Sequence, residues 1–289
     1  NPDAVKDLKL YKGGIPARYG GRLSSILDIR MKEGNNKKRS ISGGIGSIFS
    51  RLTIEAPIVK EKSSFILALR RSYADVLAKP FLKNSNFLND GWALNFYDLT
   101  AKINFNLDEK NRIFFSSYLG RDIFRFDERQ GFNWGNRTGT IRWNHLFNDR
   151  LFSNFTTIYS NYDYQLAFGS DDRNKFEWDS KIETLNLKPE FTYFINTNNE
   201  FSIGGEFLIY RFEPANAQGV SDGKITDITL PKKYAFESSI YFGNEQKINN
   251  ISFSYGLRTS TYTYLGPGTK YIFNLPTNPG DRKTIDSEE

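Results

Sequence analysis

The chain has 289 residues, no cysteine, one histidine and a net charge of +6. The lack of cysteine excludes disulfides, cysteine-ligated zinc and thiol catalysis, and a single histidine excludes sites that need several. The basic residues are scattered rather than gathered into a stripe, which argues against nucleic acid as a partner. No stretch approaches the roughly 18 consecutive apolar residues of a transmembrane helix.

Aromatic residues are abundant although the chain is polar on average. They make up 16% of the sequence, yet the mean hydropathy is only −0.54. This combination is typical of a transmembrane β-barrel, in which one strand face meets lipid, the other meets water, and aromatic girdles mark both interfaces. The composition therefore favours a membrane barrel over a soluble domain.

The first element is a compact, glycine-rich unit at residues 1–34. Two short apolar runs, 5–10 and 26–29, predict two strands, and the glycine pairs at 13–14 and 20–21 allow tight turns between them. The next residues, 35–39, are polar and basic and predict a linker. We therefore expect a small separate unit before the main part of the chain.

From Ser40 onward apolar residues recur with a period of two, which predicts strands. The clearest run is 251–265, where Ile251, Phe253, Tyr255 and Leu257 alternate with small or polar residues. The pattern predicts eleven strands in 40–265, although 40–57 could be one bent strand: 40–48, 50–57, 64–73, 93–107, 112–126, 137–147, 151–167, 178–195, 200–213, 233–247 and 251–265. Several exceed ten residues, the length that a tilted membrane strand needs.

The predicted connections alternate between short and long, as periplasmic turns and extracellular loops do in outer-membrane barrels. The short ones are 59–63, 108–111, 148–150, 196–199 and 249–250. The long ones are 74–92, 127–136, 169–177, 214–230 and 266–289, the last being the start of an extracellular loop. Bacterial barrels have even strand numbers, so eleven strands predict either a barrel that continues beyond residue 289 or a strand count that is wrong by one.

Three motifs near the start of the chain carry a resemblance to a known family. They are NPDAV with YKGG (1–5, 11–14), PARYGGRLSS with LDI (16–25, 27–29), and SRLTIEAP with the strand up to RRSY (50–57, 64–73). Together they resemble the end of the plug and the first barrel strands of TonB-dependent outer-membrane receptors, in the form found in Bacteroidetes-type bacteria. The resemblance implies a barrel of about 22 strands, of which eleven would be half, and identifies residues 1–34 as the end of the plug.

The resemblance implies import of a nutrient (a glycan, a peptide or a metal chelate) across the outer membrane. The expected partners are outer-membrane lipid, TonB through an N-terminal region upstream of this chain, and a surface lipoprotein. No cofactor, no metal and no enzymatic activity are expected. The alternatives are a structural subunit of an outer-membrane complex without energised transport, and a soluble all-β domain such as a sandwich.

The candidate site residues form two groups. Charged residues on the plug end and on polar strand faces could make contacts across the lumen: Arg18, Arg22, Asp28, Asp98, Lys102, Lys188 and Glu190. Aromatic residues in or beside the predicted long loops could contact a ligand by stacking: Trp92, Phe132, Trp134 and Trp178.

Weaker signals have simpler explanations. His145 lies beside Trp143 and Phe147 near a short turn, which predicts an interfacial girdle residue. Residues 171–172 are two aspartates that could bind Ca²⁺, but a solvated loop is the expectation. Residues 72–83 predict a short helix that ends at Pro80.

Overall fold

The computed structural model describes residues 1–21, 24–77, 92–127, 129–171, 173–266, 268–273 and 282–287. The N-terminal segment, residues 1–34, begins with a single 3-10 turn at Pro2–Ala4. It continues as an antiparallel hairpin of strands β1 (Val5–Tyr11) and β2 (Ile26–Met31). The two strands predicted for this unit are therefore confirmed.

A large antiparallel sheet forms most of the remaining chain. Its strands are β3 (Ser40–Ile45), β4 (Phe49–Val59), β5 (Ser63–Ser72), β6 (Ala93–Asn106), β7 (Asn111–Arg125), β8 (Gly131–Leu146), β9 (Leu151–Asp171), β10 (Asn174–Asn196), β11 (Asn199–Ser221), β12 (Lys224–Thr229), β13 (Lys233–Ile248) and β14 (Ile251–Leu265). Strands follow one another in sequence order from β3 to β14, except that β11 pairs with both β12 and β13. Strands β15 (Gly268–Phe273) and β16 (Arg282–Ser287) form a separate hairpin.

Strands β12 and β13 act as one interrupted partner of β11. Strand β13 pairs with β11 up to Phe212, and β12 resumes the pairing at Asn216. Both short gaps contain a proline, Pro214 and Pro231, which has no backbone N–H to donate to a ladder. One hydrogen bond spans the gap, from the Leu230 amide to the Ala215 carbonyl at 2.9 Å. The sequence did not predict β12, because its six residues are all exposed and show no polar and apolar faces.

The eleven predicted strands are all present, and 40–57 is two strands rather than one bent strand. Three predicted long loops are wrong. Residues 131–136, 169–171, 174–177 and 214–221 continue neighbouring strands, so the connections there are tight turns. Strands β10 and β11 each have 23 residues, and at about 3.3 Å per residue and a tilt of about 40° they rise about 55 Å. An apolar band is only about 25 Å tall, so these strands continue well beyond it.

The sheet has one polar and one apolar face. Residues in register share a face, and a continuous line of partners runs through Thr53, Ala68, Thr100, Tyr118 and Thr138 to the later strands. This inner face carries the N-terminal segment, because Asp3 accepts a hydrogen bond from Thr53 at 3.3 Å. The outer face is mainly apolar: Leu67, Ala101, Ile103, Phe115, Ile141, Leu187, Phe207, Ile209, Ile240, Phe242 and Leu257.

An aromatic cluster lies on the outer face at the short-turn end of the sheet. Trp143 packs against Phe155 with ring centroids 5.6 Å apart, and Phe155 meets Phe191 at the same separation. His145 contacts Phe147 edge-on at 4.5 Å. This is the arrangement expected of a girdle residue at a membrane interface.

Helical structure is sparse in the part of the chain that the structure describes. Residues 74–77 form one helical turn, in which the Leu77 amide donates to the Tyr73 carbonyl at 3.2 Å. The rest of the helix predicted for 72–83, with Pro80, lies outside the described residues. No helix among the residues described has the length and apolar content that crossing a bilayer requires.

Candidate functional site

The candidate site is the inner face of the large sheet, with the N-terminal segment lying across it. The segment contacts strands β4 to β6 near its two ends and strands β11, β13 and β14 through the loop between β1 and β2. It therefore bridges two parts of the sheet that are separated by the four strands β7 to β10. We call these two contact regions the first anchor and the second anchor.

The first anchor holds main-chain atoms of the N-terminal segment through several hydrogen bonds. The Glu33 carbonyl accepts from the Ser64 hydroxyl at 2.9 Å and from the Asn104 side-chain amide. The Met31 carbonyl accepts from Lys102 Nζ at 3.4 Å. Asp3 adds an ion pair with Arg51 at 2.7 Å, but the Arg51 side chain is 48% exposed, and such pairs contribute little.

A glycine is required in the first anchor. Gly34 has a φ of +84°, and a Cβ there would lie 2.3 Å from the carbonyl oxygen of Phe65. Only glycine adopts this conformation freely and lets two backbones approach so closely. The segment consequently leaves the inner face of β5 at a fixed place and angle.

The second anchor is built around Arg258 on β14, whose side chain is only 10% exposed. Its guanidinium donates to the Arg18 carbonyl at 3.1 Å, to Glu206 at 2.9 Å and to the Ser239 hydroxyl at 2.8 Å. Glu206 is also paired with Lys188 Nζ at 3.2 Å. Because the network is largely shielded from water, each of its charges depends on its partners.

Arg18 faces carboxylates of the sheet. Burial disfavours the charged form of its guanidinium, but the neighbouring acidic groups, Glu190 first and then Tyr19, Tyr11 and Glu245, together outweigh burial, and the pKa of Arg18 is raised. Glu245 lies directly opposite Glu200 in the ladder. With Arg18, Arg258 and residues 14–17, these two glutamates line a cavity of about 430 Å³ between the segment and the sheet. The basic loop thus sits against an acidic part of the inner face.

Two of the predicted lumen residues have their hydrogen-bond partner on their own side of the interface, Asp28 within the N-terminal segment and Asp98 within the sheet. Asp28 accepts a hydrogen bond from the Tyr19 hydroxyl at 3.2 Å, inside the N-terminal segment rather than from the sheet. Burial first, and then the Asp28 charge, raise the pKa of Tyr19 to about 12. Asp98 is 4% exposed and pairs with Arg70 at 2.6 Å on the neighbouring strand.

The remaining predicted lumen residues are distributed between the two anchors. Lys102 belongs to the first anchor, and Arg18 and Lys188 belong to the second. Glu190 accepts a hydrogen bond from the Tyr241 hydroxyl at 2.6 Å and faces Arg18. Arg22 lies outside the described residues. The structure thus brings Arg18, Lys188 and Glu190 into one region and places Lys102 in the other.

The predicted ligand-contacting aromatics do not lie in loops, with one exception. Phe132 and Trp134 lie in β8, and Trp178 lies in β10. Only Trp92, which directly precedes β6, lies outside a strand. The sequence predicts a loop at Phe132 and Trp134 because aromatic residues occupy inner-face positions that carry polar residues lower in the same strand. Trp178 is the first residue of a predicted strand, and β10 begins four residues before it.

Sequence reasoning missed Arg258, Glu206 and Tyr241. In the sequence they are ordinary polar positions of alternating strands. Only the register shows that Arg258 is paired with Tyr241 and that Glu206 lies one inner-face position further along β11. A usable signal was present in Arg258, the one charged residue in the run 251–265. Within the residues that the structure describes, no group of three or more histidine, aspartate or glutamate residues is placed to hold a metal ion.

No protein-family model and no curated relative matches the chain. Solved structures do match: a copper transporter, OprC (TM-score 0.71, 12% identity, 98% of this chain and 46% of that one), and the siderophore receptor PirA from Acinetobacter baumannii (TM-score 0.67, 14% identity, 90% and 44%). The ferric-catecholate import receptor Fiu from E. coli K12 matches with a TM-score of 0.63 and 14% identity over 98% of this chain and 55% of that one.

These matches show the fold. The chain spans about half the length of each structure it matches, and its large antiparallel sheet corresponds to the barrel of TonB-dependent receptors. The matched proteins are transport receptors rather than enzymes.

Proposed function

We propose that this chain is part of a TonB-dependent receptor that imports a nutrient across the outer membrane, and that the N-terminal segment is the end of its plug. The position of the segment across the inner face, held at both anchors, carries this proposal. A pore with no gate would have no use for a folded unit fixed at two distant parts of its wall. The fold shared with receptors for siderophores and copper supports the same function.

The two sheet faces support a location in the outer membrane. The outer face presents large apolar side chains, including Ile240, Leu257 and Ile141 with exposed fractions of 64%, 60% and 50%. In water such a face would promote aggregation, whereas in a bilayer it would be covered by lipid chains. The short-turn end would then face the periplasm and the opposite end the outside.

The resemblance of about residues 1–75 to Bacteroidetes-type receptors stays a prediction, as does a surface lipoprotein partner. TonB would act through residues upstream of this chain. Transport then requires that the plug loosen from the wall, and the second anchor, which depends on two arginines, is the part that we expect to loosen.

Conductance measurements test the proposal without knowledge of the cargo. The full-length protein in planar lipid bilayers is expected to be closed, and a variant whose mature chain starts at Asn35 is expected to form a wide, continuously open pore. An unchanged, closed trace from a correctly folded variant would overturn the proposal and favour a structural subunit. Folding is checked by the heat-dependent gel mobility of the barrel, and Arg258→Ala serves as the second variant if the truncated chain does not fold.

A further inference from the structure

At the far end of the sheet, opposite the short turns, the polarity of the two faces is the reverse of that in the membrane-spanning part. On the outer face at this level the side chains are charged and paired. Arg121 pairs with Asp163, Lys181 lies 2.9 Å from Glu183, and Arg211 lies 2.8 Å from Glu213. These residues continue the rows that carry Leu119, Leu185 and Ile209 lower in the same strands. The outer face is thus built for water at this level, beyond the apolar band.

The inner face of the same strands becomes aromatic. We define the aromatic panel as the inner-face residues of β7 to β10 in the ranges 120–124, 132–138, 160–166 and 178–184. Its members follow from the register, which pairs Trp134 with Tyr164 and Leu166 with Trp178. The panel contains no lysine or arginine, and its one charged residue is Asp122.

The aromatic side chains of the panel form preorganised surfaces. The rings of Phe132 and Trp134 are stacked, with centroids 5.5 Å apart and an angle of 10° between their planes. Phe124 extends this group, its ring 5.0 Å from that of Phe132. The Trp178 indole N–H is fixed by a hydrogen bond to the Ser180 hydroxyl at 3.0 Å. These rings are only partly buried, so they remain accessible from the inner space.

The neutral polar groups of the panel lie beside and below the rings. They include Asn136, Thr138, Ser160 and Thr184, whose side chains donate and accept hydrogen bonds without net charge. An anionic metal chelate would meet no cation on the panel, and Asp122 would repel it. A ligand with flat apolar ring faces and many hydroxyl groups would match both the stacked rings and the neutral polar groups.

We infer that the cargo is an uncharged oligosaccharide, which stacks its rings on the aromatic panel before import. The inference rests on the proposed function and narrows it, because the matched receptors are named for siderophores, ferric catecholate and copper. Charge complementarity favours an uncharged ligand over an anionic chelate, because every Lys and Arg of β7 to β10 at this level, Arg121 and Lys181 among them, lies on the opposite face from the panel.

Binding of defined probes to the full-length protein in detergent tests this inference. One set is a panel of neutral oligosaccharides of differing linkage, and the other is an anionic ferric tris-catecholate. We expect at least one neutral oligosaccharide to bind, with an affinity that changes little with salt, and the ferric tris-catecholate not to bind. Binding of the chelate alone, or of no oligosaccharide in the panel, would overturn the inference.

Three variants localise the binding. Trp134→Ala should weaken oligosaccharide binding by about tenfold, because a stacking surface is lost, whereas Trp134→Phe should keep most of it. Trp143→Ala is the matched control, since Trp143 lies in the girdle on the outer face. Equal losses in Trp134→Ala and Trp143→Ala, with normal gel mobility, would contradict the inference. Failure here leaves the bilayer conductance unaffected, so it is distinguishable from failure of the proposed function.

Discussion

The two anchors of the N-terminal segment hold it by different means. In the first anchor, neutral side chains such as Ser64 and Asn104 bind main-chain carbonyls, and the chain itself continues from Gly34 into the sheet. In the second anchor, the Arg258 guanidinium of the sheet binds the Arg18 carbonyl of the loop, and the charged Arg18 side chain lies near Glu190 and Glu245 of the sheet. Hydrogen bonds from neutral side chains respond little to ionic conditions, whereas in the second anchor a single charged side chain, Arg258, makes the hydrogen bonds to Arg18, Glu206 and Ser239. The comparison indicates a hinge at the first anchor and a release point at the second.

The largest effect is expected for Arg258→Ala. It removes hydrogen bonds to Arg18 and Ser239 and leaves Glu206 with one cationic partner, Lys188. Loss of charge-assisted hydrogen bonds of this kind should lower the free energy that holds the loop on the sheet by about 2 kcal/mol. This corresponds to about 30-fold faster hydrogen exchange of amides in 13–21. Amides in 32–36 should exchange as before. Equal acceleration in both stretches would mean that the anchors are not independent.

A smaller effect, confined to the first anchor, is expected for Asn104→Ala. Its side chain donates to the Glu33 carbonyl and to the Ser64 hydroxyl, the latter at 2.8 Å. Loss of neutral hydrogen bonds costs about 1 kcal/mol, so amides in 32–36 should exchange about fivefold faster while those in 13–21 stay unchanged. Acceleration confined to 13–21 would contradict the assignment of Asn104 to the first anchor.

A change in salt concentration should affect the two anchors differently in the wild-type protein. Raising the ionic strength from about 0.05 M to about 0.5 M screens partly exposed charges, and exchange in 13–21 should rise by about two- to threefold. Exchange in 32–36 should not respond. An identical response of the two stretches would show that charge does not distinguish them.

The smallest expected effect concerns Tyr19, within the segment. Its pKa is raised by burial and by Asp28 to about 12, against about 10 for a free tyrosine. Because the pKa is raised, the Tyr19–Asp28 contact stabilises the N-terminal segment fully below pH ~10, and this contribution is lost as the pH rises through ~12. The difference in tyrosinate absorbance between the wild type and Tyr19→Phe should have its midpoint near the higher value, and a midpoint near the ordinary value would exclude the contact.

The sequence was sufficient for the strands wherever one face meets lipid and the other water. In β14 the alternation from Ile251 to Leu257 predicted the strand to its last residue. The pattern failed at the far end, for example at Phe132 and Trp134 of β8, because aromatic residues lie on the inner face there and charged residues lie on the outer face of the neighbouring strands. There the contrast between faces is reversed and weaker, so the pattern resembled loops.

The anchors could be predicted only in part. Arg18 and Lys102 were singled out because they are charged residues on the glycine-rich unit and on a polar strand face. Arg258 and Glu206 are separated by 52 residues, and their contact depends on the register of three strands. Alternation predicts which face a residue occupies but not its neighbour across the sheet.

The most direct test of the central claim, that the N-terminal segment closes the lumen and is released at the second anchor, is the conductance of single point variants in planar bilayers. Full-length Arg258→Ala is compared with Arg121→Ala, which breaks an ion pair on the outer face at the far end. We expect the Arg258→Ala protein to open frequently and the Arg121→Ala protein to stay as closed as the wild type. A correctly folded Arg258→Ala protein that remains closed, or an Arg121→Ala protein that opens equally often, would contradict it.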